Sequence, residues 1–365
     1  MMIKEKSRIT QGQLMFLILQ IQVGVGILSL PYRVQAVAKG GGWISTLIAG
    51  IVAQVLILIL WAICRRYPSD TLFTFLPKIA GKFFGKLLGF GYIFHFLFIA
   101  GIILILFTDI VGKWILMDTP RWALLLLMIA TGVYLAKESI RVIARLFVSV
   151  SFFIIVMVLL TMAGYTNVNF TYLFPITEAG WPNILKGSSE VLISLVGFEV
   201  LLVAYPYVEG NSAGKLKAAS LANMLTTLFY AFEVFTCLII FSPAEFPLIS
   251  EPLMYMLRSF SIQIVERIDL FFLSIWVIIV ATSFVGYLYL ASTGLGYFFH
   301  RGEHKKAVYY AAFVCFILAM IPQDQKTVEL MNQIATISAY TFAAGIPFIL
   351  LVIAYFSRKR RMEER

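Results

Sequence analysis

The sequence predicts an all-α membrane protein with ten transmembrane helices, arranged as a 5+5 inverted repeat in which helices 1 and 6 are broken. The first observation is composition: hydrophobic residues make up 61% of the 365-residue chain and charged residues 13%, which is far more apolar than a soluble core requires. The second is a series of ten apolar segments, and the third is that segments 1 and 6 are interrupted at membrane depth. A matched pair of interrupted segments is the best sequence indicator of a transporter-type binding site.

The ten predicted spans cover residues 10–36, 43–64, 84–108, 120–136, 146–163, 187–208, 218–241, 268–293, 306–321 and 333–356. Spans 4 and 9 are short, since a membrane helix needs about 20 apolar residues. Lysine and arginine collect on the cytoplasmic side of membranes. A ten-span arrangement with a cytoplasmic N-terminus places most of the 29 lysines and arginines inside, whereas deleting both short spans removes nearly all of that bias. We therefore predict ten spans with both termini cytoplasmic.

An odd number of spans per group makes the second group enter the membrane from the opposite side, which defines an inverted repeat. We predict one membrane domain over residues 1–365, with a first five-helix repeat at 1–163, a second at 164–356 and a basic cytoplasmic tail at 357–365. The landmarks agree with this division, because spans 1 and 6 are both interrupted and spans 4 and 9 are both short.

Charge and motifs exclude several function classes. The net charge of +10 does not indicate nucleic-acid binding, because the cations lie next to apolar spans, where membrane topology explains them. The three cysteines are isolated along the chain and offer neither a disulfide framework nor a metal motif. Phosphate loops, zinc-protease motifs and nucleophile elbows do not occur. We expect no enzymatic activity, no cofactor and no metal, and a lipid bilayer around the chain.

The first break consists of consecutive residues in the middle of span 1, namely Gln22, Val23, Gly24, Val25, Gly26 and Ile27. Backbone freed from a helix at membrane depth is tolerated only inside protein or beside a polar cavity. The amides of Val25, Gly26 and Ile27 would open the second half-helix, whose positive dipole end suits a carboxylate. We interpret the segment as an amino-acid site; a Gly-x-Gly helix-packing contact is the alternative.

The second break, in span 6, contains Gly197, Phe198 and Glu199. A charged carboxylate inside a membrane is costly unless it is paired or protonated. We predict that Glu199 is either a neutral acid bonded to unwound backbone or an anion that faces the ammonium group of a ligand; a neutral glutamate that braces helices 6 and 1 is the alternative. Glu233, in span 7, lacks an accompanying break and is assigned a structural or proton-relay role.

Spans 3 and 8 supply the remaining candidates. His95 lies mid-span, where a lone histidine is more often a packing residue than a ligand contact. Thr282 and Ser283 have hydroxyls that could face the first break, although mid-helix hydroxyls usually bond to their own backbone.

The walls of the predicted pocket indicate the ligand class. Beside His95 and Glu199 they are aromatic, formed by Phe94, Phe98, Phe198 and Tyr287. The sequence places no second buried cation or carboxylate there, and burying an unpaired charge costs more than burying methyl groups, which gains about 0.8 kcal/mol per CH₂. These walls favour a small, neutral, mainly aliphatic amino acid.

Two connections carry secondary predictions. Between spans 7 and 8, apolar residues at helical spacing predict an amphipathic helix on the outer face: Leu253, Met256, Leu257, Phe260 and Ile264. The basic connection from Arg65 to Lys86 is predicted to be a surface that binds lipid headgroups or a cytoplasmic partner. The alternative is that its positive charge only fixes the membrane topology.

The order and spacing of several motifs resemble the amino acid, polyamine and organocation transporter superfamily, which shares the LeuT-type fold. Within it, the chain from about Thr10 to Arg361 is similar to endospore germination permeases, the B subunits of nutrient germinant receptors. The resemblance is carried by the following motifs: Gly26-Ile27-Leu28-Ser29-Leu30-Pro31, Gly41-Gly42-Trp43, Gly197-Phe198-Glu199-Val200 and the basic tail. Superfamily transporters often have an aromatic residue where this chain has Leu195, which argues against an aromatic gate there.

The resemblance implies a receptor subunit in the spore inner membrane that recognises a nutrient, usually an amino acid, together with an A subunit and a lipoprotein C subunit. A proton-coupled amino-acid permease is the alternative function, and both use the same pocket. Sodium-coupled relatives of this fold place an ion near the position of Thr282 and Ser283, which leaves a sodium site as an open alternative to backbone bonding.

Overall fold

The structure is a computed structural model that describes residues 7–259, 267–300, 302–322 and 324–363. Across these residues the chain folds into α-helices joined by short 3₁₀ turns, with one isolated β-bridge between Ile9 and Val208. The helices in chain order are α1 (Gln11–Gln22), α2 (Leu30–Ala38), α3 (Gly42–Arg66), α4 (Leu72–Ala80), α5 (Lys82–Trp114), α6 (Arg121–Ala136), α7 (Ile140–Val150), α8 (Phe152–Met162), α9 (Gly180–Leu192), α10 (Leu201–Ala204), α11 (Ser212–Ile240), α12 (Pro252–Ser259), α13 (Ile268–Phe299), α14 (His304–Met320), α15 (Gln325–Ala339) and α16 (Ile346–Glu363).

Several helical stretches are long and apolar enough to cross a membrane. Among the described residues there are six: Leu30–Arg66, Lys82–Trp114, Ile140–Thr166, Ser212–Ile240, Ile268–Phe299 and Gln325–Phe356. The bent pair Gly180–Leu195 and Phe198–Tyr207 makes a seventh if it forms one span. Helices α6 and α14 have 16 and 17 residues and are too short to be recognised by length. The protein is thus an all-α, multi-pass membrane protein, and the number ten stays a prediction.

Both predicted breaks are confirmed. In span 1, α1 ends at Gln22, the next two residues are extended, and a 3₁₀ turn at Val25–Leu28 leads into α2. Pro31 lies in the first turn of α2, where its missing N–H costs no helix hydrogen bond. In span 6, the chain bends by 51° between Leu195 and Phe198.

The two breaks lie against each other at the backbone. Gly197 has a φ of 135°, a left-handed conformation that side chains disfavour. A Cβ built on Gly197 would lie 2.9 Å from the backbone nitrogen of Gln22 and 2.9 Å from the carbonyl carbon of Ile21. Around this contact, α1 packs against α7, α11 and α13, and α9 packs against α2 and α3. Close packing of the breaks therefore requires glycine in span 6.

The structure adds detail at three of the predicted connections. Helix α12 forms in the connection between spans 7 and 8, with Leu253, Met256 and Leu257 buried where it packs against α8, α11 and α13. Its position on the outer face stays a prediction, and Phe260 and Ile264 fall outside the described residues. The basic connection contains α4, which packs on α5 and α16. The predicted tail is helical, since α16 continues to Glu363; residues 364 and 365 are outside the described part.

Candidate functional site

Side chains from other helices satisfy the backbone that is freed at the first break. The Tyr230 hydroxyl on α11 donates to the Gln22 carbonyl at 2.9 Å and accepts from the Gly24 amide at 3.3 Å. The Ser283 hydroxyl on α13 lies 3.0 Å from the Gln20 carbonyl and 2.9 Å from the Val23 carbonyl. These are terminal carbonyls of α1, which have no partner within the helix. The unwound shape is therefore held by α11 and α13.

Two glutamines of span 1, Gln20 and Gln22, brace the breaks. Gln22 Nε2 donates to the Leu195 carbonyl of span 6 at 2.7 Å, and its Oε1 accepts from Thr226 at 3.4 Å. Gln20 Oε1 accepts from Thr282 at 2.7 Å, and its Nε2 donates to Ser151 at 3.0 Å. Each buried amide is thus bonded on both sides, as buried polar groups require.

A cavity of about 110 Å³ adjoins the first break. Span 1 contributes Gly24, Val25 and Gly26, and span 6 contributes Ser194 and Val196. The far wall is mainly aliphatic and is formed by α5 and α15: Ile99, Ile102, Ile103, Leu106, Asn332, Ala335, Thr336 and Ala339. Apolar walls with a few convergent polar groups are typical of a small-molecule site.

The Glu199 carboxylate is directed toward α5 and is not among the groups that line this cavity. Its Oε2 accepts the Gly197 amide at 2.6 Å, and its Oε1 lies 3.5 Å from His95 Nε2. His95 Nδ1 in turn lies 2.8 Å from the Ser338 hydroxyl of α15. Both Glu199 and His95 are fully buried. The pair therefore links the second break to α5 and α15.

The structure divides the predicted site residues into two groups. The residues that line the cavity are Gln22, Gly24, Val25, Gly26, Ser283 and Tyr287. The remaining ones lie in the packing around it: Val23, Ile27, His95, Phe98, Gly197, Phe198, Glu199 and Thr282. The assignment of Phe94 to the pocket wall is wrong, because its side chain is 58% exposed on the outer surface of α5. Whether the first group contacts a ligand stays a prediction.

Among the cavity residues that sequence reasoning missed, Arg33 and Ser194 are bonded to each other. Arg33 Nη2 donates to the Ser194 hydroxyl at 3.0 Å, and both residues line the cavity. The available signal was a cation within the predicted span 10–36, since an ionisable residue inside a span indicates function. Ser194 offers no comparable signal, because a serine in an apolar span is common.

Arg33 also borders a second, more open cleft of about 970 Å³. This cleft is lined by polar residues of α9 and α15, among them Glu190, Glu329 and Asn332. Arg33 and Asn332 line both the cleft and the cavity. They therefore stand between the cavity and the open cleft.

Glu233 lies apart from this site. Its Oε1 accepts from Thr161 of α8 at 3.2 Å, while its Oε2 is buried without a hydrogen-bond partner among the described residues. The contact with Thr161 ties α11 to α8. The structural or proton-relay role stays a prediction.

Comparisons with known proteins agree on one family. A family model described as "Spore germination protein" matches residues 8–328. The chain is 27% identical to Spore germination protein YndE of Bacillus subtilis (strain 168), over 98% of this chain and 99% of that protein. It is 26% identical to Spore germination protein GerQB of Bacillus cereus, over 92% and 93%.

Among solved structures, the crystal structure of MhsT in complex with L-phenylalanine matches with a TM-score of 0.70. The match covers 93% of this chain and 87% of MhsT at 14% identity. At that identity the likeness concerns the fold alone, which is the LeuT type.

Proposed function

The chain belongs to the family of spore germination proteins, and from that membership we propose that it is the ligand-binding B subunit of a nutrient germinant receptor. An amino acid that enters the cavity between the two breaks would trigger germination. The observation that carries the proposal is the cavity itself, which lies where Gly24, Val25 and Gly26 interrupt span 1. Amides at such a break suit a carboxylate group.

We infer that the ligand is a small, neutral, mainly aliphatic amino acid. The walls contributed by α5 are Ile99, Ile102, Ile103 and Leu106, and each buried CH₂ of a ligand gains about 0.8 kcal/mol. A charged ligand side chain would be desolvated against these residues without a partner. MhsT, which has the same fold, is in complex with L-phenylalanine in its crystal structure, and this supports an amino acid as the class of ligand.

The proposed setting is the spore inner membrane, with both termini in the cytoplasm and with an A subunit and a lipoprotein C subunit as partners. The predicted topology then opens the polar cleft beside Arg33 toward the outside. A nutrient would reach the cavity from that side.

A proton-coupled amino-acid permease is the second candidate function. The observation that favours it is the presence of protonatable groups within the bundle, the buried Glu199–His95 pair and Glu233. Intramembrane carboxylates and histidines are the groups that transporters use as proton relays.

Uptake and binding measured on the same preparation separate the two functions. The purified chain is placed in liposomes, and radiolabelled alanine, valine and leucine are tested for binding and for accumulation with and without a pH gradient. Saturable binding without uptake is the expected result for a receptor subunit. Accumulation driven by the pH gradient would reject the receptor role in favour of the permease, and the absence of any amino-acid binding would reject both.

A further inference from the structure

Arg33 carries a positive charge that the described residues do not pair. Its guanidinium makes one side-chain hydrogen bond, from Nη2 to the Ser194 hydroxyl at 3.0 Å. Its Nε is buried and has no hydrogen-bond partner, and no carboxylate of the described residues forms an ion pair with it. Glu190 lines the same cleft and acts on Arg33 electrostatically, but the two do not form an ion pair among the described residues. An arginine stays charged in proteins and offers five donors, so most of its capacity is unused.

The Nη2 group of this arginine, together with the Ser194 hydroxyl to which it is bonded, lies beside the first break. A Cβ built on Gly26 would lie 2.8 Å from Ser194 Oγ and 3.6 Å from Arg33 Nη2. Because Gly26 has no side chain, a small space remains beside it. The Gly26 backbone, the Ser194 hydroxyl and the Arg33 guanidinium border this space. That space belongs to the cavity, which all three residues line.

We propose that Arg33 and Ser194 bind the carboxylate of the ligand at Gly26. The proposal rests on the proposed function and names the group that the site recognises. Guanidinium and carboxylate form paired, charge-assisted hydrogen bonds that a backbone amide cannot match. The backbone at the break then binds the carboxylate together with these two side chains, and not by itself.

This assignment also orients the ligand. Arg33 lies between the cavity and the open cleft, so the acid group of the ligand points toward the cleft. The ligand side chain then extends toward Ile99, Ile102 and Ile103 on α5. A compound with the same side chain and no carboxylate leaves Arg33 unpaired and is rejected.

Binding to the full chain in lipid nanodiscs tests the assignment. L-leucine, L-valine and L-alanine are compared with L-leucinamide, L-valinamide and L-alaninamide, which lack the anionic group. The wild-type chain should bind each amino acid about tenfold or more tightly than its amide, equivalent to about 1.4 kcal/mol. Arg33→Gln should lose that preference, and Arg33→Lys should keep part of it. Arg121→Gln is the matched control, because Arg121 bonds the Pro322 carbonyl away from the cavity.

Each outcome bears on the assignment. Equal binding of an amino acid and its amide by the wild-type chain overturns it, even when the proposed function stands. An unchanged acid-to-amide ratio in a folded Arg33→Gln or Ser194→Ala chain overturns it as well. If the wild-type chain binds amides and no amino acids, the proposed function and this assignment both fail. The acid-to-amide ratio of the wild-type chain tests carboxylate recognition without any variant, and Arg33→Lys, which keeps the charge, tests the role of Arg33 if Arg33→Gln does not fold.

Discussion

Glycine at position 26 keeps open the space that the proposed carboxylate contact needs. An added methyl group would lie 2.8 Å from Ser194 Oγ, closer than side-chain carbons normally approach. We expect Gly26→Ala to reduce amino-acid binding about tenfold or more, equivalent to about 1.4 kcal/mol, and Gly26→Leu to abolish it, while the chain remains in the membrane. Binding and membrane content are measured on the same preparations.

Gly112→Ala is the matched control for Gly26→Ala, because a Cβ at Gly112 has no neighbour within 4 Å. It should bind as the wild type does. Normal binding by a stably expressed Gly26→Leu chain would contradict the site assignment.

Two substitutions of Glu199 should differ in their effect on stability. In Glu199→Gln, the amide oxygen can still accept from the Gly197 amide, and the amide nitrogen can face His95 Nε2. In Glu199→Ala, the buried Gly197 amide loses its partner, which costs about 1–3 kcal/mol. We therefore expect Glu199→Ala to lower the thermal unfolding temperature clearly more than Glu199→Gln.

Ligand binding of the two variants separates the possible states of Glu199. If the acid acts in its neutral form, Glu199→Gln should bind ligand nearly as well as the wild type. Equal loss of binding in both variants, with expression maintained, would indicate an ionised carboxylate instead. Wild-type behaviour of both would exclude any role for the residue.

Residue identity alone was a partial guide to the site. The sequence identifies Glu199 as unusual because carboxylates are rare in membrane spans, yet it cannot tell toward which helix the side chain turns. The structure turns it to His95 and leaves the cavity to Ser194 and Arg33. Direction depends on the bend at Gly197, which is a property of the folded backbone.

Helix α11 supports the first break through the side chain of Tyr230. Tyr230 is fully buried, and its single hydroxyl serves both the Gln22 carbonyl and the Gly24 amide. Tyr230→Phe leaves both backbone groups unpaired in a membrane interior, so we expect a loss of about 1–3 kcal/mol of stability and weaker ligand binding. Thermal unfolding and binding in nanodiscs measure the two effects.

The control for this substitution is Tyr134→Phe, because Tyr134 is 77% exposed on α6 and should tolerate the change. An unfolding temperature that is the same in Tyr230→Phe and in wild type would show that the hydroxyl does not hold the break open.

Features marked by an unusual local composition could be predicted from the sequence. The packing partners of each helix could not. The breaks follow from glycine in apolar spans, and the structure contains both. The apolar face of α12 predicted a helix, but its partners could not be predicted, because burial against protein and burial in a membrane surface select the same residues. Leu253 and Met256 are buried in the folded chain, where α12 packs against α8, α11 and α13.

The membrane topology of the whole molecule depends on whether α6 and α14 are membrane spans. If each crosses the membrane, the two ends of α6 lie on opposite sides. Asp118 precedes α6 and Glu138 follows it, and both are exposed. We expect Asp118→Cys to react with an impermeant thiol reagent from outside and Glu138→Cys to react only after permeabilisation.

The native cysteines provide the background for this experiment. Cys64, Cys237 and Cys315 are buried, so the unsubstituted chain should remain unlabelled. Labelling of both introduced cysteines from the same side would remove α6 from the set of spans and reduce the predicted number.

The fold class was predictable because it follows from the apolar composition and from the interruption of spans 1 and 6. Both features can be identified without any knowledge of contacts. The LeuT-type arrangement is shared with MhsT at 14% identity, so few individual side chains are needed to specify it. The cavity depends on a small number of side chains, and its chemistry is therefore the part that sequence predicts least.

The supports of the first break come from distant parts of the chain. Tyr230 follows Gly24 by 206 residues, and Ser283 follows Val23 by 260. During translation, span 1 leaves the ribosome long before these partners exist, and unpaired backbone in hydrocarbon is strongly disfavoured. The broken form of span 1 is therefore one of the last features to mature, and a nascent chain that stops before α11 lacks the side chains that hold the cavity open.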